Sequence, residues 1–358
     1  MSGPPSLSSF QSDKPLLDHL TIDLILAILN HTFLNPVFAW LIPLAYRAQT
    51  FQYHHPPFYL SAAYAAFVTV LWIAKQINRR IAYGAKREFD WMEEVVVITG
   101  GASGLGLLIA EVYGMRGVTV AVLDVREPEG GEARNVEFYK CDVGDEKQVE
   151  AVAKEIERDL GTPTVLINNA AIVNGKRILD LSAEEIETNF KTNLLSSFYT
   201  IKQFLPGMLK LNRGSIITIS SVLSSIAPAQ LSDYAASKAA LKSLHSSLTA
   251  ELADKPGIKT LLVTPGQLST PLFYGVKTPS NFFAPVLEPV DVAKEIIAAI
   301  DGGLGGHISM PVYSRWIGVM EILPASIQKF LRWASGADRA MAGFKGRKTL
   351  DQEGNETW

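Results

Sequence analysis

The sequence predicts an α/β fold: a doubly wound parallel sheet, preceded by an apolar N-terminal segment that anchors it to a membrane and followed by a C-terminal extension. From about Glu94 onward, short apolar runs rich in β-branched residues alternate with stretches of helical periodicity. Strands that are apolar throughout suit a parallel sheet covered by helices on both faces. Between Leu16 and Ala74 charges are scarce, and Phe58 to Ala74 carries none. Charged residues make up only 19% of the chain, against roughly 25% in ordinary soluble domains. Part of the protein therefore avoids water.

Residues 1–15, rich in Ser and Pro, read as a disordered N-terminus. Residues 16–80 form the anchoring region, with two apolar stretches. The first, near Leu24 to Tyr46, is interrupted by Asn30, His31, Asn35, Pro36 and Pro43, and Asp23 stands just before it. It reads as a broken span, a re-entrant half or an interfacial helix. The second, Phe58 to Ala74, is near the lower limit for crossing a hydrocarbon core at about 1.5 Å per residue. It is apolar all round, where a surface helix would show a polar stripe; the competing reading is a buried helix of a soluble protein. A cleaved signal peptide fits poorly, because the first fifteen residues lack a cationic region. Residues 81–93 read as a basic linker. Lys75, Arg79, Arg80, Lys86 and Arg87 outweigh Arg47 on the other side of the second stretch, so the positive-inside rule puts the chain after residue 80 in the cytosol.

Residues 94–310 carry the sheet. VVVITG (95–100) is a buried strand followed by the helical GLLIAEVYGM, VTVAVLD (118–124) a second strand and NVEFYKC (135–141) a third. DEKQVEAVAKEIERDL (145–160) is an amphipathic helix with Asp145 and Glu146 at its positive end. TVLINN, GSIITISS and IKTLLVTPG supply further strands.

Thr99-Gly100-Gly101-Ala102-Ser103-Gly104-Leu105-Gly106 falls where the first strand must turn into the first helix. Glycines there permit a tight turn and let a pyrophosphate reach the amides at the helix N-terminus. Asp124 ends the second strand, where a carboxylate can accept both adenosine ribose hydroxyls and repel a 2′-phosphate, which favours NAD over NADP. Arg126 nearby offers a 2′-phosphate a counter-charge, and a strand-end Asp also serves turns. Tyr234 and Lys238 are spaced i,i+4 on the helix after GSIITISS, so phenol and ammonium share one face. A neighbouring cation lowers a phenol pKa from about 10, although this spacing alone is common. Ser221 ends the preceding strand, Asn168-Asn169-Ala170-Ala171 ends the strand before it, and Asn193 lies between. In a doubly wound sheet these strand ends gather at one rim, where ligands bind.

With these motifs in order, the sequence resembles the short-chain dehydrogenase/reductase family over about residues 94–310, a Rossmann fold. The resemblance implies hydride transfer between a nicotinamide and an alcohol or carbonyl. It implies Tyr234 as general acid/base, Ser221 as hydrogen-bond partner of the substrate oxygen, and Lys238 as the group that lowers the phenol pKa and binds the nicotinamide ribose. Asn193 would hold a water linking Lys238 to solvent. The cofactor would be held by Gly100, Ser103, Gly104, Leu105, Gly106, Asp124, Tyr234 and Lys238. Asp142 and Val143 would contact adenine, Asn169 and Ala170 would pack on the adenosine side, and Pro265, Gly266 and Thr270 would flank the nicotinamide. The family usually pairs as a homodimer through the helices bearing Asn193 and Tyr234.

The anchor, the basic linker and an extension over residues 311–358 containing Trp316, Leu323-Pro324, Met341 and Phe344-Lys345-Gly346-Arg347 resemble the membrane-associated retinol and 17-beta-hydroxysteroid dehydrogenase branch. That implies a lipophilic alcohol or carbonyl substrate, of retinoid, steroid or long-chain class. It also implies residence on endoplasmic reticulum or lipid droplets, where the positive-inside rule has the catalytic domain face the cytosol. The alternative is a lipid-droplet or reticulum surface protein that uses the fold mainly for binding and recruitment. The loop 268–289, rich in Leu, Phe, Tyr and Pro, reads as an apolar lid or as a surface loop packed on its own aromatics.

Net charge is −3, which gives no general attraction to phosphate backbones and argues against nucleic-acid binding. The lone Cys141 excludes an intrachain disulfide framework and a Cys-based zinc site, and suits a reducing compartment. The six histidines show no metal-ligand spacing, so no metal is expected.

Overall fold

The computed structural model describes residues 20–128, 133–276, 278, 280–346, 349–350 and 356–357. The disorder expected for residues 1–15 lies outside the described residues. The chain divides into two compact units: Met1–Asn78 with Ser280–Pro285, and Arg79–Pro279 with Val286–Trp358.

In the first unit, helices α1 (Ile22–His31) and α2 (Pro36–Ala48) are bent by 54° across a short break. Asn35 makes the break a fresh start: its side chain accepts the Val37 N–H at 2.9 Å and Pro36 follows at the first helical position. Helix α3 (Pro56–Tyr83) runs 28 residues, about 42 Å, longer than the roughly 30 Å of a hydrocarbon core. It is apolar enough to cross a membrane by length and composition, and only 11% of its apolar window is buried. Helices α2 and α3 meet through Ala39, Ala65 and Val68, the two alanines letting the backbones approach. Trp40 Nε1 donates to Thr69 Oγ1 at 3.0 Å and Tyr64 to the Phe33 carbonyl at 2.6 Å. Part of the loop expected to cover the site belongs here: the Ile22 N–H donates to the Phe282 carbonyl at 3.0 Å.

The second unit holds seven parallel strands: β1 (Val95–Thr99), β2 (Thr119–Asp124), β3 (Val136–Lys140), β4 (Val165–Asn168), β5 (Gly214–Ile219), β6 (Ile258–Pro265) and β7 (Gly306–Met310). Their order is β3-β2-β1-β4-β5-β6-β7, a Rossmann-like doubly wound sheet. Its helices are α4 (Gly104–Met115), α5 (Glu146–Asp159), α6 (Ala183–Phe190), α7 (Ser196–Leu211), α8 (Ser232–Glu251), α9 (Pro289–Asp301) and α10 (Ala325–Ser335). Alternation along β1 divides the core. Val96 and Ile98 pack with Ile109 of α4 and Ile296 of α9, while Val97 packs with Val149 of α5 and Phe204 of α7 on the opposite face. Asp145 caps α5, its Oδ1 accepting the Lys147 N–H at 2.9 Å. The last strand, β7, is one that periodicity did not reveal.

Arg87, counted in the basic linker, is buried beneath the sheet. It pairs with Glu94 and donates to Ser215 Oγ at 2.8 Å. Burial lowers its pKa and the Glu94 carboxylate opposes that shift. With its charge neutralised inside the domain, only Lys75, Arg79, Arg80 and Lys86 remain as the basic flank of α3.

Candidate active site

The strand order reverses between β1 and β4, and at the carboxyl rim there a cavity of about 360 Å³ opens. The turn from β1 into α4 borders it through Gly100, Ser103, Gly104 and Leu105. Gly100 and Gly104 have φ of +64° and +58°, a region that costs other residues. A Cβ on Gly100 would lie 2.7 Å from Ala170 Cα, and one on Gly106 2.5 Å from the Gly100 carbonyl oxygen. Asn169 holds this turn: its Nδ2 donates to the carbonyls of Thr99 at 3.1 Å and Gly100 at 2.9 Å. Thr99 Oγ1 in return accepts the N–H groups of Asn169 and Ala170 at 3.0 and 3.1 Å. The result is a rigid turn that leads into the N-terminus of α4, where amides without helical partners favour an anion.

Asp124 lies at the end of β2 on the same cavity. Its Oδ2 accepts the Ala102 N–H at 3.2 Å, which ties β2 to the glycine turn, and its Oδ1 accepts the Arg126 N–H at 3.2 Å. Arg126, Cys141, Asp142 and Val143 line the cavity beside it. Asp142 Oδ1 accepts the Gly144 N–H at 2.9 Å, which fixes the chain after β3.

The cavity also takes in Ser221, Tyr234, Lys238, Pro265, Gly266 and Thr270. Helix α8 presents Tyr234 and Lys238 on one face, and both are buried. Burial pushes the Tyr234 phenol above its ordinary pKa, and a hydrogen bond with Ser221 pulls the other way. Burial lowers Lys238 to about 8. Its Nζ donates to the Ile219 carbonyl at 2.9 Å and lies 5.7 Å from the Tyr234 ring centroid. The lowered phenol pKa expected from the i,i+4 pair is therefore not found. Desolvation of both groups dominates because the ammonium is turned toward the strand end.

Every residue expected at the site lines this cavity except Gly106, whose place is the strand-to-helix contact, and Asn193. Asn193 is buried in a π-helical turn, Lys191–Leu195, between α6 and α7. Its Oδ1 accepts the Ile172 N–H at 2.8 Å, and its Nδ2 faces the Ile172 carbonyl at 3.0 Å and Ser237 Oγ at 3.2 Å. It thus joins the chain after β4 to helix α8. Such π-turns concentrate at functional sites.

Sequence reading singled out none of Ile172, Thr188 and Thr192, and held Leu272 and Phe273 only within the loop 268–289 read as a lid or as a self-packed surface loop. Ile172, Thr188, Thr192, Leu272 and Phe273 line the cavity, and the Phe273 ring meets that of Tyr234 edge to face at 5.5 Å. Buried Met341 and half-buried Phe344, from the C-terminal extension, join Leu231, Tyr234 and Phe273 in one apolar cluster. The Lys345 N–H donates to the Tyr274 carbonyl at 3.0 Å, so the extension returns to the loop after β6. A Cβ on Gly266 would lie 2.7 Å from Pro311 Cδ, a second close approach of extension to site. Nothing local in sequence marks Met341 as a neighbour of Tyr234; only its place in an apolar run hints at burial. Among the described residues no group of His, Cys, Asp or Glu is arranged to hold a metal ion.

The geometry agrees with known proteins. The short chain dehydrogenase family matches residues 94–280. Mouse epidermal retinol dehydrogenase 2 is 35% identical over 269 residues, covering 71% of this chain and 86% of its own. Zebrafish retinol dehydrogenase 10-B is 32% identical over 306 residues, covering 76% and 90%. A metagenomic short-chain oxidoreductase solved in complex with NADP superposes with a TM-score of 0.51 at 26% identity, covering 61% of this chain and 96% of that one. On the family match, on these relatives and on the sheet that carries Ser221, Tyr234 and Lys238 to one rim, the chain is a member of the short-chain dehydrogenase/reductase family, an oxidoreductase of NAD(P)-binding fold.

Proposed function

We propose that the protein interconverts a lipophilic alcohol and its carbonyl, of retinoid, steroid or long-chain class, with NAD(H) preferred, on the cytosolic face of a reticulum or lipid-droplet membrane. The observation that carries this reading is that Ser221, Tyr234 and Lys238 line the same cavity as Gly100, Gly104 and Asp124. The residues present suit a dinucleotide. The turn at Gly100 has no room for a Cβ, the N-terminus of α4 favours a pyrophosphate, and Asp124 suits ribose hydroxyls. The apolar cluster of Phe273, Met341 and Phe344 around Tyr234 favours an apolar substrate, in keeping with the two retinol dehydrogenase relatives. Helix α3, preceded by the bent pair α1 and α2, serves as the anchor, with residues 81–93 as linker and 94–310 as the catalytic domain.

When bound, the nicotinamide accepts or supplies the hydride. In the oxidation direction Tyr234 takes the hydroxyl proton, and in reduction it returns one to the carbonyl oxygen. Ser221 holds that oxygen by a hydrogen bond. The Lys238 ammonium would hold the nicotinamide ribose and favour the phenolate. Asn193 joins Lys238 to solvent through water. The phenyl and aliphatic groups of the cluster exclude bulk water, which strengthens each of these interactions.

The test is steady-state turnover by the full chain in lipid, with NAD(H) and NADP(H) each offered retinol, a hydroxysteroid, a long-chain alcohol and an aldohexose. Turnover of an apolar alcohol with NAD is expected, with cofactor discrimination eroded in Asp124→Ser. Preference for the hexose removes the substrate reading. Tighter use of NADPH means that Arg126 overrides Asp124.

A further inference from the structure

No residue of helix α10 is buried, and its large apolar side chains other than half-buried Leu331 are exposed. Arg332 fastens it to the domain, its Nη2 donating to the Ala227 carbonyl at 2.9 Å, while Gln328 Nε2 donates to the Leu323 carbonyl just before the helix at 2.8 Å. Arg332 also pairs with Asp338, whose carboxylate accepts the Ala229 N–H at 3.3 Å. Ile327, Phe330 and Trp333, at i, i+3 and i+6, face outward with 43%, 60% and 72% of their surfaces exposed. Just before them in the chain, Trp316 and Ile322 are 69% and 82% exposed. An amphipathic helix normally buries its apolar stripe. Here the bonds of Arg332 hold the helix with its stripe exposed, and exposed apolar surface of this kind marks a docking face.

The surrounding charge and the side-chain types select the occupant. Residues 311–346 carry five Lys or Arg against two Asp or Glu, in a chain whose net charge is −3. A groove of about 410 Å³ beside the stripe is lined by Lys329, Arg332, Trp333, Asp338 and Arg339. Trp and Phe beside Lys and Arg are the side chains that settle at a lipid headgroup layer. Docking against a second copy would set basic face against basic face, since a two-fold contact is self-complementary. An anionic bilayer meets both the charge and the apolar surface, and α3 is long and apolar enough to hold the chain at one.

We propose that residues 316–333 form a membrane-docking surface, seated in the headgroup layer of an anionic bilayer, separate from the anchor in α3. The proposal rests on the membrane part of the function proposed above. It also has a consequence for the site. Arg332 and Asp338 fasten α10 to residues 227–229, a few positions before Tyr234, and Met341 follows in the cluster around that phenol. Docking therefore holds the segment that precedes Tyr234, and the extension that packs on Tyr234 through Met341, close to the lipid surface that stores a lipophilic alcohol.

The test uses the full chain, one copy per nanodisc, with an environment-sensitive fluorophore on a single introduced cysteine. Phe330→Cys reports docking, Val70→Cys reports the anchor and Lys294→Cys, on the solvent side of α9, reports water. Buried Cys141, its thiol pushed up to about 12 by burial, stays unlabelled at neutral pH. In discs containing phosphatidylserine, nitroxide lipids should quench the label at 330 at least about twofold more than the label at 294. That excess should shrink in phosphatidylcholine alone and in Lys329→Glu with Arg339→Glu, while turnover of a short soluble alcohol persists. A label at 330 that behaves like 294 while the label at 70 is quenched overturns the docking surface and leaves the anchor standing. Labels at 70 and 330 both in water overturn the anchor as well.

Discussion

The Lys238 ammonium donates to the carbonyl oxygen of Ile219, the last residue of β5, at 2.9 Å. That bond compensates in part for a cation with 1% of its surface exposed. Burial still lowers Lys238 from 10.5 to about 8, which corresponds to about 3 kcal/mol favouring the neutral amine. Between those two values the unfolded chain holds the proton and the folded chain has lost it, so the contribution of Lys238 to stability rises as pH climbs from about 8 to 10.5.

Lys238→Met should flatten that rise. It removes the buried cation and leaves the Ile219 carbonyl without its partner, at about 1 kcal/mol. The variant should therefore be about 2 kcal/mol more stable at neutral pH, melting several degrees higher. Turnover and dinucleotide affinity should both fall. Thermal melts without cofactor at pH 7 and 9.5 check the first part. A variant that melts lower at pH 7 means that the bond to Ile219 outweighs burial.

Met341, 3% exposed, packs on Leu231 and Tyr234 from more than a hundred positions along the chain. Met341→Ala should cost about 2–5 kcal/mol of stability. Where the variant remains folded, it should lose about tenfold in kcat through a loosened phenol, with dinucleotide Kd unchanged. An unaltered kcat would make the extension a cover with no positioning role.

His245, buried on α8, shares a hydrogen bond of 2.9 Å with Thr218 Oγ1. Burial, with a smaller contribution from His307, lowers it from 6.5 to about 4. The unfolded state takes up the proton first as pH falls, so stability is full above pH 6.5 and is lost between 6.5 and about 4, by about 3 kcal/mol. His245→Gln, which keeps a polar partner for Thr218 but does not titrate, should flatten this acid limb in melts at pH 7 and 4.5. An unchanged limb would place the acid sensitivity elsewhere.

The parts that sequence revealed are those where the backbone demands a particular residue. Gly100 and Gly106 stand where a Cβ would strike Ala170 or the Gly100 carbonyl, and β1, β2, β4, β5 and β6 are apolar because both sheet faces are covered. Strand β7, Gly306–Met310, escaped notice as a short edge strand, GHISM, only partly buried. Arg87 read as a linker cation because a buried ion pair depends on Glu94 and Ser215 folding around it. The partner of Lys238 is a carbonyl, and a carbonyl leaves no trace in sequence. The cluster that Met341 and Phe344 make around Tyr234 is long-range packing, and an exposed apolar stripe such as that of α10 has the same periodicity as a buried one. In each case tertiary context decides which way a pattern faces.

The central claim is that Tyr234 exchanges the proton with the substrate oxygen. The measurement is the steady-state rate of Tyr234→Phe on an apolar alcohol with NAD, with dinucleotide binding followed separately by fluorescence. The phenyl ring keeps the packing against Phe273 and Met341 and has no proton to exchange. A positioned acid/base group contributes about a hundredfold to ten-thousandfold, so the variant should lose at least about a hundredfold in kcat with dinucleotide Kd nearly unchanged. Retention of more than about a tenth of the wild-type rate would contradict the role given to Tyr234 and the mechanism built on it.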